Sequence, residues 1–517
     1  MSFDTKKIEP LRRSFEAFEI ILDKNDPTLD NTFALQVDSY GTPKTTDNIL
    51  AYTGVDFRTY RYADQQLFGV DHFVGLDFRA TSNAPKIDPG KSLGFRASGT
   101  VTLNDFNDGD EYALPAPYDD RRVTGSHFKK LFARNHLRNR RARIIRGYDP
   151  ANYSESNCQI ENYIIDSYTQ PQNNKVTFSL VDELILVETK QAKAPEVNKG
   201  ELSAIALIGD TTLTFSTPIT DEYGIVSATG HIVIEKEIVS YTVATSTTLT
   251  VVRARFGTEA KEHDSGETIQ KVIIYDDVNI IDIITDLITN YTKIPASYIP
   301  AADWAALKAG DLANYNLTNQ IYKPTDIKKL LNELVTLAGL SMYVDIINQK
   351  LVIVTVPDFS APVITFDESE HIISGSMRVK RAVKNQITRQ TIHWAKSDST
   401  ESDREENFTK HFQVTQPAVE TDADESVISE NKPLITSWLI NTLDNNLIGT
   451  SYAQRNINRF SEVPIEVNFK VDQRYIDTVA GGTMWLGSIF NLTSNDIVDG
   501  GLNQLTKTYQ CISIKQS

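Results

Sequence analysis

The residues that could do chemistry are scattered, and each pattern they form lacks a needed member. Gly90-Lys91-Ser92 has the ending of a phosphate-binding loop, in which backbone N–H groups and a lysine hold a nucleotide's phosphates. That motif needs another glycine five positions earlier. The position is Pro85, which has no N–H and stiffens the chain, so a plain turn fits better. Eight histidines stand at His72, His127, His136, His231, His263, His371, His393 and His411. None belongs to an HExxH motif or to a close pair with a second ligand, and they read as solvent-facing or hydrogen-bonded rings. No GxSxG elbow occurs, which removes the common serine-hydrolase layout. With 68 Asp and Glu a glycosidase-type carboxylate pair stays open, but nothing marks one glutamate as buried beside aromatics. The expectation is a chain with no catalytic residue, no cofactor and no metal.

The strongest local charge feature runs from Arg134 to Arg146 and holds Arg134, Arg138, Arg140, Arg141, Arg143 and Arg146. Such a run suits contact with nucleic acid. It equally suits an interface, because the planar guanidinium binds carboxylates bidentately and this chain has carboxylates in surplus. No interleaved aromatics offer a stacking platform for bases, and the interface reading is preferred, with carboxylates of the same or a neighbouring subunit.

The composition narrows the setting. The chain has 517 residues, 40% hydrophobic and 23% charged, which suggests three to four domains and no wholesale disorder. Its net charge is −16, and its pI is about 5.1. A non-specific nucleic-acid binder carries the opposite excess. An acidic surface suits a wall that DNA passes without sticking; simple solubility explains it equally well. The two cysteines, Cys158 and Cys511, form no CxxC pair. They read as free, buried thiols, with one long-range bridge as the alternative. No apolar segment follows Met1 as in a secretory signal, and no apolar run is long enough to span a membrane. Synthesis in a cytoplasm is expected.

The elements that must position these residues are mostly strands. Ala97–Leu103, Lys175–Leu180, Leu351–Val356 and Ile465–Val471 are rich in Thr, Val, Ile and Phe, mostly in alternation with polar residues, and turns of Gly, Pro, Asn and Asp separate them. The fold class is mainly β with a few helices, a multidomain set of barrels or sandwiches. One helix is expected from Ser126 through Lys129 to Arg138. Another spans Val278 to Tyr291, capped by Asp277, with Ile281, Ile284, Ile288 and Tyr291 on one face. A third starts at Thr325 as N-cap, lines up Ile327, Leu330, Leu331, Leu334, Leu337 and Ala338, and stops at Gly339. A shorter helix is expected over Asp303–Lys308. Lys190–Gly200 reads as a linker, and 397–430 as a mobile acidic loop. The expected domains are 1–195, a small β module at 196–275, a helical connecting domain at 276–344, and 345–517.

Several stretches resemble the central hub proteins of bacteriophage tail tips and baseplates. Ile87–Gly94 and the strand to Asp105, then Gly125–Gly147 (GSHFKKLFARNHLRNRRARIIRG), then Tyr163–Asp166 and Val176–Leu184 occur in the order of one such domain. Gly230–Ile274 resembles small β modules of phage tail proteins, with Glu237, Tyr241, Arg253, Gly257, Thr258, His263 and Gly266. Gly257 and Gly266 can take positive φ in tight turns, and Glu237, Arg253 and His263 can knit those turns by hydrogen bonds. A catalytic Arg–His–Glu site is the alternative. Met377–Trp394 and Tyr452–Gly487 resemble a last, tube-like hub domain.

The resemblance implies a homotrimer with two tube-like hub domains per chain, within 1–195 and 345–517, and a peripheral module between them. Two pseudo-equivalent patches per subunit let a threefold ring meet sixfold neighbours. The implied partners are the hexameric distal tail or tail tube proteins, a trimeric fibre or spike protein, the tape measure protein, and genomic DNA passing through without sequence-specific binding. The implied location is the virion tail tip. Some siphophage relatives carry a four-cysteine iron–sulfur cluster near the C-terminus, which Cys511 alone cannot hold. A receptor- or carbohydrate-binding tail protein is the alternative reading, and a cell-wall-degrading enzyme a third.

Overall fold

A computed structural model of the chain describes residues 14–21, 59–68, 73–74, 77–87, 93–106, 126–134, 136–198, 200–215, 228–355, 362, 364–382, 385–396, 400, 402–415, 433–436, 438–440, 447–461, 463–472, 486–498 and 504–514. The architecture is mainly β with few helices.

Phe15–Ile21 (β1), Thr59–Ala63 (β2), Phe73–Val74 (β3), Arg79–Asn83 (β4), Ser98–Asn104 (β5), Arg141–Gly147 (β6), Cys158–Tyr168 (β7) and Lys175–Val181 (β8) form one eight-stranded sheet, in the order β3-β2-β1-β6-β7-β8-β5-β4. Its ladders are antiparallel except β2–β3. Native twist curls a sheet of this width. Phe18 on β1 comes within 5.2 Å of Phe178 on β8, and Arg146 on β6 reaches Ser82 on β4. The concave side is filled by His127–Arg134 (α1), which buries His127, Phe128 and Leu131 against Tyr62 and Phe178. This helix stops four residues before the expected Arg138. The chain turns through Asn139, at φ 64°, and enters β6.

A two-residue strand, Lys193–Ala194 (β9), leads to a five-stranded antiparallel sheet of Thr212–Thr214 (β10), Thr229–Ile234 (β11), Glu237–Thr245 (β12), Thr248–Val252 (β13) and Ile269–Lys271 (β14), in the order β10-β13-β12-β11-β14. Leu213, Ile232, Ile234, Val239, Tyr241, Leu249, Val251 and Ile269 give it a core of its own.

Ile273–Asn279 (β15) runs directly into Ile280–Tyr291 (α2). Asn279, not Asp277, caps this helix, accepting from the Ile281 N–H at 3.0 Å. The correction is one of reach: an N-cap side chain bonds the N–H two or three residues on, and the strand persists past Asp277. After Ala301–Ala309 (α3) come Asn316–Ile321 (β16) and Thr325–Asp326 (β17), which pairs with β9. The expected linker 190–200 is therefore pinned, and Asn198 is bonded to Gln270 and Lys271 as well. Ile327–Ala338 (α4) buries Ile327, Leu330, Leu331, Leu334, Val335, Leu337 and Ala338, and its N-cap is Asp326 rather than Thr325. Leu340–Asp345 (β18) and Lys350–Thr355 (β19) form a hairpin.

The remainder holds Ile364–Asp367 (β20), Glu368–His371 (α5), Arg378–Arg381 (β21), Arg389–Lys396 (β22), Phe408–Thr415 (β23), Leu434–Ile435 (β24), Leu439–Ile440 (β25), Leu447–Phe460 (α6), Ile465–Asn468 (β26), Ile489–Val498 (β27) and Gln504–Gln510 (β28). Small sheets result: β20-β27-β28, β21-β26, β23-β22-β24, and β15-β16-β25. Part of the expected acidic loop is thus strand β23, while 416–432 lies outside the described residues, as do His72 and Gly90–Ser92.

One hydrophobic cluster runs from Phe18 through Val187, takes in α2, α4 and the β18–β19 hairpin, and continues to Ile392, Trp394, Trp438 and Tyr452. Another joins Ile87 to Phe366, Phe490, Leu492 and Cys511. Both cysteines are free thiols, but Cys158 is only half-buried, correcting one expectation. Among the described residues no helix is long and apolar enough to cross a membrane.

Candidate functional site

The basic run divides according to strand geometry. On β6, residues two apart share a face, so Arg143 and Arg146 project to opposite faces of the curled sheet. Register sets Arg143 opposite Glu19 of β1. Its Nε donates to Glu19 at 2.7 Å, and its Nη1 and Nη2 donate to Glu155 at 3.1 and 2.9 Å. Arg61 of β2 donates to the same Glu19, which is fully buried between the two guanidinium groups. On the concave face, Arg146 donates from Nε to Glu16 at 2.9 Å, from Nη1 to Glu161, and from Nη2 to Ser82 at 3.2 Å. Burial alone pulls both arginines down. The Glu19 and Glu155 carboxylates outweigh it at Arg143, and Glu161 and Glu16 outweigh it at Arg146, so both stay raised. Arg140 is buried and bonds the His136 carbonyl at 3.3 Å; Arg138 is exposed at the turn, and Arg141 is half-buried. Arg134 ends α1. Six arginines close in sequence therefore do not form one patch.

The module's cluster converges on Glu237, the first residue of β12. Arg253 just after β13 binds it bidentately, Nε to Oε1 at 2.7 Å and Nη2 to Oε2 at 2.6 Å. The N–H groups of Ala254 and Lys261 each donate to it at 3.0 Å. His263 Nε2 lies 2.9 Å from Glu237 Oε2, and its Nδ1 lies 2.9 Å from Glu235. Both ring nitrogens of His263 thus face carboxylate oxygens. Burial would raise the Glu237 carboxyl. The Arg253, Lys261, His263 and Ala254 donors overcome that and hold it at about 2. Gly257 and Gly266 take φ of 78° and 91° in the turns that bring Arg253 and His263 round. An Arg–His–Glu catalytic centre needs one member open to substrate. Glu237 and His263 are each 1% exposed, and every polar atom of both side chains is bonded within the module.

A third set of charges was not foreseen. Asp182, just after β8, is fully buried, accepting from the Ala97 N–H at 2.6 Å and the Leu184 N–H at 3.1 Å. Burial pushes its carboxyl up to about 7, against the lowering by the Ala97 N–H, with neighbouring Glu183 adding to the rise. Glu183, also buried, accepts from the Tyr298 hydroxyl. Sequence signals for Glu16, Glu19, Arg61, Glu155, Glu161 and Asp182 were absent, because each meets its partner only through strand register or chain reversal.

A groove of about 350 Å³ beside α4 is lined by residues that include Lys328, Lys329, Glu333 and Leu434. Among the described residues no three or more His, Cys, Asp or Glu converge as a metal site.

No family model matches the chain, and no curated protein matches it. Solved structures similar to it include the tail protein from Neisseria meningitidis MC58, 11% identical, covering 84% of this chain and 90% of that one, with a TM-score of 0.38. The 43 kDa tail protein of prophage MuSo2 from Shewanella oneidensis is 9% identical, with 85% and 89% covered and a TM-score of 0.39. Prophage tail protein gp18 from Listeria monocytogenes EGD-e is 8% identical, with 84% of each chain covered and a TM-score of 0.35. At these identities and scores the likeness assigns no function.

Proposed function

We propose that the chain is a non-catalytic structural virion protein, the central hub of a phage tail tip or baseplate. Contiguity carries the reading. The stretches that resemble hub proteins are spread from Ile87 to Leu184 in sequence. In the sheet they fall on β5, β8, β7 and β6, which are consecutive neighbours, with α1 laid over them. β5, which ends at Asn104, joins β8, which starts at Lys175, so the stretches form one continuous part of the sheet. On this reading three copies form a ring whose duplicated tube-like domains, within 1–195 and 345–517, face a hexameric distal tail or tube protein above. A trimeric fibre or spike docks below, the tape measure protein ends in the ring, and DNA leaves through a lumen whose acidity repels phosphate. Arg138, exposed at the α1–β6 turn, is placed to meet a neighbouring subunit. Arg143 and Arg146 are engaged by carboxylates of their own chain.

The test is native mass spectrometry of the full chain, alone and with the purified distal tail protein of the same virion, joined to electron microscopy of virions labelled on this chain. Trimers, a joint complex and label at the tail tip are expected. A stable monomer that joins no tube protein, or label elsewhere on the particle, would overturn the reading.

A further inference from the structure

Strands β22 and β23 pair antiparallel with His393 directly opposite His411. On β22 the flanking residues Ile392 and Trp394 belong to the main core. Alternation therefore turns His393 to the other face, where it is half-buried, and His411 beside it is exposed. The two imidazoles lie 5.8 Å apart, centroid to centroid, with their planes 27° from parallel. Thr391 pairs with Gln413, the Thr409 hydroxyl donates to the Ala395 carbonyl at 2.8 Å, and Ile435 of β24 flanks His393. None of these ladder neighbours carries a charged side chain.

Directly opposed side chains on a ladder are the closest neighbours a sheet provides, and two imidazoles so placed can share one ion. A first-row divalent metal bound to one nitrogen of each ring at about 2.05 Å sets the ring centroids roughly 5.2 Å apart at the tetrahedral angle. The observed 5.8 Å exceeds that value by about 0.6 Å. Imidazole nitrogen selects the zinc, copper and nickel class, whereas calcium and magnesium require oxygen ligands. We propose that His393 and His411 form a two-histidine site for a transition-metal cation of that class, completed by water, which ties β23 to β22. The site is independent of the hub reading.

Titration calorimetry of the untagged full chain with zinc and with nickel chloride tests it, comparing H393Q, H411Q and the control H371Q. His371 accepts from the Asp367 N–H, away from the pair. The wild type and H371Q are expected to bind one metal per chain at this site. H393Q and H411Q should each weaken binding by more than about tenfold, a loss that even an outer-shell partner can cause. Cobalt in place of zinc should give a visible nitrogen-ligand absorption band in the wild type that either variant abolishes. Because His411 is exposed, H411Q leaves the fold intact, which circular dichroism checks. No binding by the wild type, or equal binding by wild type and H411Q, overturns the proposal.

Discussion

At the residue scale the buried acids separate by what surrounds them. Glu237 is held ionised by an arginine fork and backbone donors, whereas Asp182 has two N–H groups and no contacting cation, so burial wins. With a folded value of about 7 against 3.8 unfolded, Asp182 binds its proton in the native state over a window where the unfolded chain has lost it. Stability from this residue is therefore full below about pH 4 and drains away as pH rises to about 7. Asp182→Asn keeps an acceptor for Ala97 and Leu184 but cannot ionise. The variant should match the wild type near pH 4 and exceed it by on the order of 1–4 kcal/mol at pH 8. Denaturant midpoints of the two proteins across pH check this; parallel pH profiles would show that Asp182 does not titrate as argued. The Glu237–Arg253–His263 grouping was suggested by the resemblance of its segment to small β modules. Asp182 was not, because nothing local announces that the residue following a strand is sealed by Ala97, 85 residues away. The pairing of His393 with His411 escaped for the same reason, since it needs the hairpin register.

At the scale of elements, periodicity was informative where one face alone is buried. Helix α4 follows its apolar stripe and ends at Gly339, which takes φ 66° as a left-handed cap. Helix α6 went unforeseen because its buried face is partly polar. Tyr452, Ala453, Asn456, Ile457 and Phe460 are buried at helical spacing, but Asn456 bonds Gln390 inside the protein and breaks the apolar pattern. The two helices meet at Gly339. Arg455 of α6 donates to the Leu337 carbonyl at 3.2 Å, and a Cβ on residue 339 would run into its guanidinium. Gly339→Ala thus combines left-handed strain with displacement of the side chain that satisfies the helix end. A loss of about 2 kcal/mol is expected in urea unfolding. A change within about 0.5 kcal/mol would mean that this junction yields freely.

At the scale of the whole molecule, the distribution of apolar contacts decides what unfolds together. The main cluster ties the curled sheet to α2, α4, the β18–β19 hairpin and Trp438, so those segments should melt as one unit. The β10–β14 module has its own core and meets the rest through a smaller group, Val233, Ile238 and Val272 with Ile274 and Tyr322. Thr-rich strand signals set this stretch apart in the sequence. The breadth of the main cluster was not legible, because apolar residues at 18, 288 and 394 carry no sign of sharing one interior. Glu237→Gln tests the division. It removes the charge that pairs Arg253 inside the module and should cost about 2–4 kcal/mol there. Hydrogen exchange read by mass spectrometry should show faster exchange across β11, β12 and β13 and unchanged protection in β6, β7 and α4. The same cluster depends on a carboxyl held at about 2, below the 4.5 of the free side chain. Its contribution is full above about pH 4.5 and is lost as pH falls through about 2, so the wild-type module should converge on the variant in strong acid. Loss of protection spread evenly over both units would show that the two cores unfold as one.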